Sequence, residues 1–425
     1  MFENLLYQNA AAQLSRDIEQ NRLPNAVLLS GPAASGKLTC ALELARVLSC
    51  RSAERGLWQC TCSSCLLHKS LVSPDAVLTG PRDCLLEIAA AADTLRRGIS
   101  EHAPWLMAAR YLFIRSVRKL TVRFSPVLLA EDDKASKIAV IVSAVHETIE
   151  ELDPHYELPA ADRAEKIIEE AVSLCKKLET GFMYDSLPVS HVRCISQWAR
   201  YTAGAGKKLV IIENADRMQE SVRNALLKIL EEPPEDTVFV LTALRRNAVM
   251  PTILSRVRPY LFADRTAAQQ KEVISRVFHA EYTETGEAAA ETEQNHGISS
   301  FLQRFLPVPV QDVYNAGAQF MRRILRNGES APEAVYAACS SFEPRQLLVL
   351  FCQGISGELK QMQLNPSFSS AERSCLCEAA AGILRAVRGF YANITVYNQN
   401  PISALELLRS DICRELHRYR GGLPV

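Results

Sequence analysis

Residues Gly31-Pro32-Ala33-Ala34-Ser35-Gly36-Lys37 stand between a short apolar run, Ala26-Val27-Leu28-Leu29, and a helical pattern from Leu38 to Leu48. No other feature limits the fold of this chain so strongly. A glycine-bearing loop in that place turns backbone N–H groups and the start of a helix toward an anion, and Lys37 adds a point charge. It requires a buried strand before it and a helix after it. The alternation recurs further on. Leu209-Val210-Ile211-Ile212 follows the turn Ala203-Gly204-Ala205-Gly206, and a helix from Ser221 to Leu230 stops at Pro233-Pro234. Val238-Phe239-Val240-Leu241 then forms a third strand, while Asn9 to Asn21 gives a leading helix. Apolar strands alternating with helices predict an α/β fold with a parallel sheet covered on both faces.

The loop departs from a working phosphate site at one position. The full motif places Ser or Thr directly after the lysine to hold Mg²⁺, and here that residue is Leu38. Thr39 lies one residue on, about 100° around the helix. After the second strand, Glu213-Asn214-Ala215-Asp216 stands where an ATPase carries Asp for the metal and Glu for the attacking water. Glu213 can stand for the first, but the amide of Asn214 cannot act as a base. Gly31, Gly36, Lys37, Thr39 and Glu213 are therefore the candidate ATP-binding residues, with room for ATP and little means of hydrolysing it.

Thirteen cysteines is an odd number, and four of them, Cys50, Cys60, Cys62 and Cys65, follow the phosphate-loop helix closely. Four thiolates near one point suit a closed tetrahedral Zn²⁺ site, which is structural. Cys60-x-Cys62 is tighter than the usual spacing, so His68 is an alternative fourth ligand. Ser255-Arg256 follows Thr252-Ile253-Leu254. By itself such an arginine is a solvated charge, or one offered to a neighbouring subunit's nucleotide.

Length and charge bound the rest. The 425 residues suffice for two to four domains of ~100–200 residues. Lys+Arg and Asp+Glu both number 48, which excludes a wholly basic nucleic-acid binder and leaves only local patches. No apolar run reaches the ~18 residues of a membrane span. Met1-Phe2-Glu3-Asn4 shows no basic stretch leading into an apolar one, so a cytoplasmic protein is expected. From Pro81 to Asp185 the chain reads as an inserted helical element. Ile138, Ile141, Val142, Val145 and Ile149 form one stripe, and Ile167, Ala171, Leu174 and Leu178 form another. Arg110, Arg115, Arg118, Lys119 and Arg123 give it a basic face at helical spacing, ordinarily solvated, otherwise a phosphate contact. Thr283 to Gln294 reads as a polar, exposed connection, and from about Val308 the pattern is helical throughout.

These residues resemble a known family. The run Asn224-Ala225-Leu226-Leu227-Lys228-Ile229-Leu230-Glu231-Glu232-Pro233-Pro234, ahead of Thr252-Ile253-Leu254-Ser255-Arg256, is similar to the signature of bacterial DNA polymerase III clamp-loader subunits of the AAA+ superfamily. The cysteine cluster is similar to that family's zinc module, with a spacing that differs by one residue, and the Cys that usually follows Ser-Arg in the family is here Val257. The motor class (gamma/tau) keeps a complete phosphate loop and an Asp-Glu pair, from which Leu38, Glu213 and Asn214 depart. Asn398-Gln399-Asn400-Pro401-Ile402-Ser403-Ala404-Leu405-Glu406 resembles a stretch of the delta-prime class.

The resemblance implies an AAA+ core over residues 1–80 and 184–264 with a zinc module at 50–65. It implies a helical lid over 265–307 and an all-helical collar, the oligomerisation domain, over 308–425, whereas the 81–183 insertion lies outside the family's pattern. It implies a non-motor subunit of the polymerase III holoenzyme, in a hetero-pentamer with gamma/tau and delta subunits. That assembly loads the sliding clamp onto primer-template DNA, with Arg256 acting in trans as an arginine finger and no competent ATPase in this chain alone. The alternatives are an active gamma/tau-like ATPase and a zinc-stabilised interaction protein outside replication.

Overall fold

A computed structural model describes residues 1–204, 206–280, 297–327, 346–364, 370–395 and 399–419. The connection expected from Thr283 to Gln294 and the residue Asn398 lie outside them. The chain divides into two compact units, Met1–Leu302 and Gln303–Val425.

The first unit is built on a five-stranded sheet, β1 (Ala26–Ser30), β2 (Ala76–Thr79), β3 (Lys208–Ile212), β4 (Thr237–Ala243) and β5 (Arg258–Leu261), in the order β2-β3-β4-β1-β5. Every pairing is parallel, with Leu28 beside Leu241 and Pro259, and Ile212 beside Leu241 and Thr79. The strands read from the sequence are the interior three, β1, β3 and β4, buried along their whole length. β2 and β5 are the edges and are four residues long. β5 carries Pro259 between the exposed residues Arg258 and Leu261, a composition that only an edge strand tolerates.

Successive side chains leave opposite faces of a strand, and two cores result. Val27 and Leu29 join Ile211 and Val240 under α1 (Asn9–Glu19) and α2 (Lys37–Ser49). Leu28 joins Val210, Phe239 and Leu241 under α8 (Val189–Trp198) and α9 (Glu220–Glu231). A short helix, α3 (Ser63–Lys69), follows α2, and α10 (Pro251–Leu254) precedes β5. The insertion forms α4 (Leu85–Ser100), α5 (Leu106–Thr121), α6 (Ala135–Glu150) and α7 (Ala161–Phe182). It has its own core, in which Phe113, Val117, Ile138, Val145, Ile167 and Leu178 are buried. α11 (Ala267–Phe278) and α12 (Ile298–Gln303) follow β5.

The second unit is helical. α13 (Val310–Asn327), α14 (Gln346–Leu364), α15 (Ser370–Thr395) and α16 (Pro401–Tyr419) close around Phe320, Phe351, Phe390 and Leu405. Among the described residues no helix is long and apolar enough to cross a membrane.

Candidate functional site

The carboxyl ends of β1, β3 and β4 open at one edge of the sheet, where ligands of open α/β folds bind. The phosphate loop leaves β1 there. Gly36 precedes α2 at φ 96, a left-handed conformation, and a Cβ on it would lie 2.8 Å from Leu5 Cδ1. The left-handed φ is what requires glycine there. The Lys37 ammonium folds back on its own loop, donating to Gly31 O at 2.7 Å, Pro32 O at 2.5 Å and Ser35 Oγ at 3.3 Å. Burial pushes its pKa down to about 8 against the opposing pull of Glu213 and Asp216. Leu38 is packed into the core and Thr39 is half-buried. Arg265 donates to Ala34 O at 2.9 Å and to Leu6 O, tying the loop to the start of α11.

Glu213, expected beside the nucleotide's metal, has both carboxylate oxygens committed to guanidinium groups. Arg82 reaches one at 2.9 Å and Arg123 reaches the other. Arg82 also binds Glu87 at 2.9 Å, and Lys119 binds Glu87 in turn. Burial would raise the Glu213 pKa, but Arg82 and Arg123 overcome it and hold the group below the ordinary carboxylate range. Glu87 is likewise opposed by burial, and Lys119 and Arg82 bring it down to about 2. A divalent cation arriving at Glu213 would meet positive charge already in place. Gly80, at φ 111, lets the end of β2 press on β3, since a Cβ would lie 2.8 Å from Glu213 N. Asn214 is left-handed at φ 54 and donates through Nδ2 to Pro81 O at 2.6 Å. Its amide braces the strand end.

The sulfur atoms of Cys50, Cys60, Cys62 and Cys65 all lie within 4.8 Å of one another. Cys50 and Cys60 are 3.7 Å apart, against about 3.8 Å between thiolates around a tetrahedral zinc at 2.3 Å. Cys50 ends α2, Cys62 precedes α3 and Cys65 lies in its first turn. Arg46, ion-paired to Glu43, holds the intervening loop by Gly56 O at 2.8 Å and Leu57 O at 2.9 Å. It also donates to Cys65 Sγ at 3.3 Å. Burial opposes ionisation of Cys62, but hydrogen bonds from the backbone of Arg51 and Cys65 and from neighbouring thiols bring it down to about 6. Cys60 rather than His68 lies within this set of four, and His68 Nε2 faces Ser73 Oγ at 3.2 Å. The four sulfurs can hold one metal ion.

Arg256 is exposed at the end of α10. It pairs with Glu231 at 2.6 Å and donates to Thr252 O at 2.8 Å, while Val257 beside it is buried in the core.

The profile of the family described as DNA polymerase III, delta subunit, matches residues 7–149 and 133–266. The chain belongs to this family, the AAA+ clamp-loader subunits of DNA polymerase III. It is 32% identical over 98 residues to the DNA polymerase III subunit delta′ of Bacillus subtilis (21% of this chain, 30% of that one). It is 41% identical over 69 residues to subunit delta′ of Haemophilus influenzae (16% and 21%). Subunit gamma/tau of Mycobacterium bovis is 32% identical over 74 residues (17% and 13%). The chain thus spans less than a third of each of these relatives.

In this clamp-loader family member the basic face of the insertion is neither solvated nor open to phosphate. Arg110 donates to Leu152 O, Asp153 O and Tyr156 O, Arg115 to Lys69 O, and Arg118 to Ser70 O. Lys119 takes Glu87, and Arg123 takes Gly80 O and Glu213. Helical spacing gave these side chains a common direction, but that direction is inward. Arg82, Arg265 and Arg46 were not singled out from sequence, since an isolated arginine carries no periodic signal.

Proposed function

We propose that this chain is a non-motor, delta-prime-like subunit of the clamp loader. What carries the reading is Glu213, whose carboxylate is taken by Arg82 and Arg123, together with Leu38 in place of the metal-binding hydroxyl. Gly31, Gly36, Lys37 and Thr39 remain the place for a bound ATP, which this chain is not expected to hydrolyse. Its contribution to catalysis is made in trans. Arg256 leaves Glu231 and meets the γ-phosphate held by an adjacent gamma/tau subunit, where its planar donors stabilise transition-state charge. The partners are gamma/tau and delta subunits in a hetero-pentamer, with the sliding clamp and primer-template DNA engaged through the complex in the cytoplasm. The metal of the cysteine cluster is zinc, and it is structural because four thiolates leave no open position.

An ATPase assay on the purified chain tests the first point. Negligible turnover is expected, unchanged by Lys37→Ala. Hydrolysis of ~1 s⁻¹ or more, abolished by that substitution, would indicate a gamma/tau-like motor instead.

Metal analysis after purification without chelator is expected to give about one zinc per chain. Cys65→Ser should lower the melting temperature more than Cys377→Ser, because Cys377 is exposed and lies outside the cluster. A chain that carries no metal and melts alike in both variants contradicts the zinc assignment.

A further inference from the structure

The insertion grips the rest of the first unit in one recurring way. Its cationic side chains donate to backbone carbonyls where other elements end, and carbonyls at helix ends lack partners within their own helix. At the end of α11, Thr94 Oγ1 donates to Phe278 O at 3.2 Å and Arg97 Nη2 to the same oxygen at 2.8 Å. Arg97 Nη1 donates to His279 O at 2.9 Å. His279, left-handed at φ 47, stacks flat on Trp105 with ring centroids 4.5 Å apart and 6° between planes. Arg97 lies over the same indole at 5.8 Å, and Asp93 steadies its guanidinium at 3.1 Å.

Two further grips come from α5 and the turn after it. Arg115 donates to Lys69 O at 2.5 Å and Arg118 to Ser70 O at 3.1 Å, both at the end of α3 in the cysteine module. Arg123 donates to Gly80 O at 2.8 Å, at the end of β2, besides pairing with Glu213. A guanidinium that forks between carbonyls fixes direction as well as distance. The opposite end of α11 is held independently, by Arg265 on Ala34 O and Leu6 O.

We propose that the α4–α7 insertion is an internal strap, which binds α11 and the cysteine-module helix α3 to the carboxyl edge of the sheet so that the three move as one body. α11 is then pinned at both ends and cannot swing about Arg265 alone. The strap is a property of the isolated chain, so its test stands or fails separately from the clamp-loader reading and from Arg256.

Hydrogen–deuterium exchange of the full chain reads it directly. The double variant Thr94→Val, Arg97→Met removes the side-chain donors to Phe278 and His279 without touching the phosphate loop or the cysteines. Amides of residues 267–279 are expected to exchange roughly tenfold faster or more, while those of β4 keep their wild-type rates, since local opening need not involve the whole domain. Trp105→Leu, which removes the stack on His279 and the indole under Arg97 but keeps the donors to the two carbonyls, should give the same local pattern more weakly. Exchange in α11 within about twofold of wild type in both variants overturns the proposal. So does equal acceleration in α11 and β4, which would mean that these contacts support general packing and not the attachment of one helix.

Discussion

In the isolated chain, Glu213→Gln is expected to lower the unfolding free energy by about 3–5 kcal/mol at pH 7, the range for breaking a buried ion pair from one side. Glu213 is 5% exposed and the Arg123 side chain is fully buried. Arg82 would keep Glu87 as an anionic partner, but Arg123 would lose its anion and keep only neutral acceptors, the Gly80 carbonyl among them. Most of the loss therefore comes from a stranded guanidinium. Arg123→Met leaves Glu213 with Arg82 and should be milder. The double variant should recover part of the loss, because the charge that had no partner is gone. Urea unfolding of the three variants measures this.

The pH dependence has a fixed sign. The pKa of Glu213 is depressed in the folded chain, so its stabilisation is present above the unfolded value of ~4.3 and disappears as pH falls through the lower folded value. The gap between wild type and Glu213→Gln should narrow below about pH 4. Equal stability of the two at pH 7 would show that the guanidinium pair does not support the strand ends.

Much of the core was legible because its signals are local. β1, β3 and β4 are buried on both faces and read as unbroken apolar runs. The cysteine cluster is closed by a loop of nine residues between Cys50 and Cys60, so proximity in sequence was nearly proximity in space. β2 and β5 were missed for a physical reason: β2 offers only three apolar residues, Ala76-Val77-Leu78, where each interior run has four, and in β5 Pro259 argues against any strand but an edge. Arg123 lies 90 residues from Glu213. Helical spacing revealed a basic stripe on α5 but could not reveal what faces it, and the pairing of Arg123 with Glu213 arises only when the insertion folds back on the sheet.

If Arg256 acts in trans as proposed, Arg256→Ala is expected to remove hydrolysis at the neighbouring nucleotide site it serves in the assembled loader, since a missing arginine finger typically costs ~10³–10⁵ there. The overall ATPase should fall only in part, because in the proposed ring Arg256 would serve one site among several. Folding should be unaffected: Arg256 is exposed, and its pair with Glu231 is partly solvated on both sides, worth about 0–1 kcal/mol. The weakness of that pair also leaves the guanidinium free to transfer to a phosphate at little cost. Val257, buried next to it, anchors the backbone, so the side chain can swing while its base stays fixed. Arg256→Lys should behave like Arg256→Ala, because an ammonium keeps the charge without the planar fork. The measurement is clamp- and DNA-stimulated hydrolysis with either variant, beside the melting temperature of the isolated subunit. Wild-type hydrolysis and wild-type clamp loading in both variants would make Arg256 a surface charge paired with Glu231 and nothing more.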